Sequence, residues 1–132
     1  MPKRNVIKLE TPAPLFSIIG ISSHENDYRL SWSINEHLGY TFTQGDSLVT
    51  ADVKEFTCFV HEDDNQKLML ISNRCDNGFL LEKHKNLDFI LKFDGELNET
   101  EISTWIRDLR KAPLVSAVFV IPVNKQILKL LG

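Results

Sequence analysis

The chain has 132 residues, 42% hydrophobic and 25% charged, the make-up of one ordinary globular domain. Lysine and arginine number 15 against 18 aspartates and glutamates, a formal net charge of −3. That balance lacks the basic excess needed to neutralise a phosphate backbone, and the basic clusters at 3–4, 83–85 and 107–111 are short, which argues against nucleic acid.

The opening MPKRNVIKLETPAPLF is basic but has no apolar run of signal-peptide length behind it. No stretch approaches the roughly 20 apolar residues that span a bilayer. Cys58 and Cys75 form no CxxC and have no paired histidines nearby. The expectation is two reduced thiols in a cytoplasmic protein, with no metal, no cofactor and no membrane association.

Residues 1–14 are expected to form an extended arm, with a short edge strand at 6–10 before Pro12 and Pro14. Residues 15–21, LFSIIGI, carry apolar side chains on both parities and predict a central strand covered on both faces. Ser22 with Glu25 matches a capping box, so a helix is expected from there to Leu38, stopped by Gly39. Leu30, Ile34 and Leu38 form one stripe of that helix, and Tyr28 and Trp32 a second. Ser31 and Asn35 fall between the stripes. Arg29, Ser33, Glu36 and His37 make the wet face. A face this wide predicts packing on the sheet and also on a second element or subunit.

Residues 40–43 predict a short strand. Residues 55–61 alternate, with Phe56, Cys58 and Val60 on one face and Thr57, Phe59 and His61 on the other. Residues 66–72 form the next strand, after a turn at Asp63, Asp64 and Asn65. Residues 73–86 are turn-rich, with a short strand at 79–81. Residues 87–93 put Leu87, Phe89, Leu91 and Phe93 inward, with Asp88 and Lys92 outward. Asn98 and Glu101 form a capping box ahead of Ile102, Trp105, Ile106 and Leu109, the stripe of a sheet-packing helix that Pro113 stops. Residues 115–121 predict the last strand, and 122–132 a short tail or helix.

This order predicts a single α+β domain over residues 1–132. Its plan is the ferredoxin-like βαββαβ with extra strands in the middle, an antiparallel or mixed sheet with two helices on one face. Trp32 and Trp105 are both expected out of water. The other face of the sheet needs a cover, from the middle hairpin, the C-terminal segment or a partner.

No Gly-rich phosphate loop, G-x-S-x-G elbow or paired metal motif occurs, so no catalytic residue is assigned. His24, Glu25 and Asp27 read as helix-start chemistry or as an acid/base or metal group. Asn35 must find partners on a buried face, in a ligand or in a neighbouring loop. Asn73 and Arg74 follow a strand into a Gly-containing turn, where binding groups concentrate, but Arg74 could equally pin that loop. Cys75 has no base near it in sequence, and His61 and His84 read as exposed and ordinary.

The segments GISSHENDYRLSWSINEHLG, LISNRCDNGFLLEKHKNLDFIL and VSAVFVI resemble the IPExxxVDY family of small bacterial proteins. The resemblance covers most of residues 15–121 and is carried by Asp27, Tyr28, Arg29, Leu30, Trp32, Asn35 and the run 70–74. The naming motif falls on 81–89, with Glu82 in place of the proline and Lys83 in place of the glutamate. The resemblance implies no known activity. It directs attention to Tyr28, Arg29, Asn35, Asn73 and Arg74 as candidate ligand-binding residues.

Two functions are therefore carried forward. The first is a non-catalytic interaction module that self-associates, as a dimer, or binds a protein partner. The second is a small-molecule binder or small enzyme, with Arg29, Asn35, Asn73 and Arg74 converging on one pocket.

Overall fold

The computed structural model of the chain describes residues 16–132. The expected arm at 1–14 and the strand at 6–10 lie outside the described residues.

The first strand, β1 (Ser17–Ser22), is central, and Gly20 in it makes room for Leu87: a Cβ there would stand 2.5 Å from the Leu87 side chain. Helix α1 (Asp27–Leu38) follows, then β2 (Thr43–Gln44), a small hairpin of β3 (Leu48–Val49) and β4 (Glu55–Phe56), and the long hairpin of β5 (Cys58–Glu62) and β6 (Lys67–Ser72). Asp63 Oδ1 accepts the N–H groups of Asn65 and Gln66 and closes that turn. A second small hairpin, β7 (Arg74–Cys75) and β8 (Gly78–Phe79), leads through a 3₁₀ turn at Glu82–His84 to β9 (Phe89–Phe93). Helix α2 (Glu99–Lys111), β10 (Ala117–Ile121) and α3 (Lys125–Leu131) complete the chain.

The main sheet has six strands in the order β10-β1-β9-β6-β5-β2, and every neighbouring pair is antiparallel. The α+β class and the antiparallel sheet agree with the sequence reading. Both faces are apolar, as the double parity of β1 requires. On one face Ile19, Ile21 and Leu91 pack with Leu30 and Ile34 of α1 and Leu109 of α2, so these two helices share a core. On the other, Ile18 and Ile90 pack with Phe56 of β4, Leu87, and Ile127 and Leu131 of α3. The C-terminal segment and the hairpin thus supply the cover that the sequence left open.

Four local expectations need correction. Helix α1 starts at Asn26, whose Oδ1 accepts the Arg29 N–H at 2.9 Å, and not at Ser22. Ser23 is taken up elsewhere: its hydroxyl donates to the Leu114 carbonyl, 91 residues away in sequence, at 2.7 Å. The second stripe of α1 is not buried: Tyr28 is 69% and Trp32 55% exposed, while Ser33, read as wet, is 1% exposed. The helix is oriented by Leu30 and Ile34, and that rotation leaves the aromatic stripe in water. Leu87 precedes β9 and joins the second core, apart from Phe89 and Leu91 in the first. His61, read as exposed, is buried.

Candidate functional site

Where β1 ends and α1 begins, the chain leaves the sheet next to the corner between β6 and β7. An open cleft of about 650 Å³ lies there. Its walls include Glu25, Asp27, Glu55, Asp76, Asp88 and Arg74, five carboxylates against one guanidinium. Asp88 is the organising group: Oδ1 accepts Arg74 Nε at 2.8 Å and Oδ2 accepts the Ser23 N–H at 2.9 Å. Asp27 accepts the Thr57 hydroxyl and ties α1 to the strand region before β5. Glu25 pairs with Arg29 at 3.0 Å. Among the described residues, Glu55 and Asp76 have no ion-pair partner, so the cleft carries unneutralised negative charge.

The five candidate residues do not gather here. Only Arg74 lines the cleft, with its guanidinium also over the Phe79 ring at 5.2 Å. Tyr28 and Arg29 sit with Trp32 on the outer side of α1. Asn35 clamps the chain after the helix: Oδ1 accepts the Phe42 N–H at 2.8 Å, and Nδ2 donates to the Phe42 carbonyl at 3.0 Å. Asn73 is 0% exposed, its Nδ2 donating to the carbonyls of His84 and Leu87 and its Oδ1 accepting the Leu81 N–H. The expected convergence of Arg29, Asn35, Asn73 and Arg74 on one pocket is therefore corrected. Two of these side chains spend their hydrogen bonds on backbone groups of loops that no strand ladder satisfies.

Asp88 and Ser23 were missed by the sequence reading. Asp88 read as an outward residue of an alternating strand, and Ser23 only as the alternative to Ser22 for capping the first helix. The one available signal was the acidic residue directly before β9.

Cys75 stands on the cleft wall with its thiol donating to Asn77 Oδ1 at 3.0 Å. Cys58 is buried, and burial pushes its thiol above the ordinary cysteine range. Both cysteines are free. Among the described residues no group of three His, Cys, Asp or Glu side chains has the arrangement of a metal site, and no helix is long and apolar enough to cross a membrane. No protein-family model matches the chain, and no curated protein matches it either.

Proposed function

We propose that the chain is a non-catalytic interaction module that pairs with a second copy of itself along β10. The observation that carries this reading is the contrast between the two edges of the sheet. At one edge β2 is only two residues long. At the other β10 offers five residues, AVFVI, with Phe119 38% and Val120 52% exposed. Residues 112–124 around it carry no ionisable side chain. Proteins protect sheet edges with short strands, charges or bulges; among the described residues no strand pairs with the outer side of β10, and no charge there repels another strand. A two-fold axis beside β10 would set two such strands antiparallel, the commonest symmetry of small oligomers. No charges would meet across that pairing.

The test is light scattering at micromolar concentration on the full chain and on Val120→Lys. A dimer that the variant converts to a folded monomer supports the reading. A monomeric native chain, or a dimer indifferent to the lysine, counts against it.

Finer assignments belong to the same proposal. We read β6, β9, β1 and β10, with α1 and α2, as a ferredoxin-like core extended by β5 and β2. What supports this is that β1, which precedes α1, lies between β10, which follows α2, and β9, the strand before α2. The likeness to the IPExxxVDY family and a cytoplasmic location are proposed with it, the latter supported by two unpaired thiols.

The cleft favours a second reading, a small-molecule binder. Its net negative wall suits an amine or another cationic ligand, held beside Glu55 and Asp76. A thermal-shift screen with cationic metabolites tests this. A ligand that stabilises the native chain but not Glu55→Gln supports it, and a screen without any shift removes it.

A further inference from the structure

His61 projects from β5 into the first core, its side chain 8% exposed, with Tyr40 edge-on at 5.0 Å and Phe42 tilted at 5.9 Å. Both ring nitrogens are occupied. Nδ1 lies 3.1 Å from the Thr41 N and 3.1 Å from the Thr41 hydroxyl. Nε2 lies 3.0 Å from Asp63 Oδ2. A backbone N–H can only donate, so Nδ1 must be the acceptor and the proton of the neutral ring must sit on Nε2, facing the carboxylate.

We infer that His61 is a proton-operated latch on Thr41, closed when the ring is neutral and released when it is protonated. The chain leaving α1 is held at two adjacent residues. Asn35 clamps Phe42 through a group that does not titrate. His61 holds Thr41 through one that does. A proton on Nδ1 points a donor at the Thr41 N–H, which then loses its acceptor. The Thr41 hydroxyl, able to rotate, turns to accept instead, so release is confined to the amide. The carboxylate of Asp63 meanwhile gains a full ion pair with the cation.

The charged groups around the ring are few. Asp63 comes from the turn after β5. Tyr40, from the segment before β2, has its hydroxyl pushed above its ordinary range, first by burial, with Asp108 of α2 adding to it. The residue opposite on β6 is Leu68, and β2 contributes only Thr43 and Gln44. The Asp63 carboxyl is held below its ordinary range, chiefly by its bond to His61.

The test is amide exchange by NMR on the full chain between pH 8 and pH 5, with the His61 ring shifts recorded in the same samples. As the ring titrates, the Thr41 protection factor should fall by about tenfold, the worth of one such hydrogen bond. The Phe42 amide, on its Asn35 clamp, should keep its protection. His61→Asn places a non-titrating acceptor near the Nδ1 position and should abolish the pH dependence at Thr41. Asp63→Asn keeps the Oδ1 acceptor of the turn, so that variant stays folded if His61→Asn does not. Its amide Nδ2 then faces Nε2 and can only donate, so the neutral proton moves to Nδ1 and Thr41 should lose its protection at every pH. Three results overturn the latch: Thr41 protection that is flat while the ring titrates, ring shifts that put the neutral proton on Nδ1, or a ring that stays neutral down to pH 5.

Discussion

Asn73 donates to the Leu87 carbonyl at 2.9 Å from a position with no solvent access, and so fastens the end of β6 to the chain entering β9. The same side chain serves Leu81 and His84. Asn73→Ala would leave a buried N–H and buried carbonyls without partners, at a cost of about 3 kcal/mol. Asn73→Asp, although isosteric, should cost more, because a carboxylate cannot donate to either carbonyl. Urea denaturation of both variants checks the order.

Leu87 also fixes what β1 tolerates. Gly20 faces it so closely that Gly20→Ala must push a buried side chain aside. The expected loss is about 1–3 kcal/mol, typical of overpacking, despite the stiffer backbone that alanine brings. Adding Leu87→Ala should offset part of that loss in a double-mutant cycle, giving a coupling energy between the two sites.

The two tryptophans should behave oppositely. Trp105 stacks on Tyr40 at 5.1 Å and meets Phe93 edge-on at 5.0 Å, whereas Trp32 is 55% exposed. Trp105→Ala should cost about 3 kcal/mol, and Trp32→Ser no more than about 0.5 kcal/mol. Acrylamide should quench the emission that remains in Trp105→Ala far more efficiently than that in Trp32→Ser.

Stability should fall in acid through identifiable aspartates. Asp63 is held below the ordinary value of 3.8 by His61 and by the N–H groups of Asn65 and Gln66, and Asp52 by Thr50 and Lys54. A carboxylate whose folded-state value is depressed stabilises the fold fully above its unfolded value. That contribution is lost as pH falls through the folded value. The melting temperature should therefore drop below about pH 4, with a shallower slope in Asp63→Asn. Scanning calorimetry between pH 6 and pH 2.5 provides the comparison.

What the sequence determined by itself was local chemistry and alternation. The capping box of Asn98 and Glu101, the left-handed stop at Gly39, and the apolar strands β1, β6, β9 and β10 all follow from side chains within a few residues of one another. The α+β class follows from their order. Tertiary structure decided everything that depends on a distant partner. The sequence pointed to Ser22 as the cap of α1, but the helix begins at Asn26, and Ser23 beside Ser22 is taken up by Leu114 and Asp88. Asn35 was expected to need partners and Asn73 to offer itself to a ligand, but the partners of both are backbone groups brought near only by folding. His61 looked exposed because alternation assigns it a face, and nothing local says that Tyr40 and Phe42 close over it. The cleft, too, is a meeting of β1, α1 and the β6–β7 corner, elements whose juxtaposition is set by the sheet order and leaves no periodic mark along the chain.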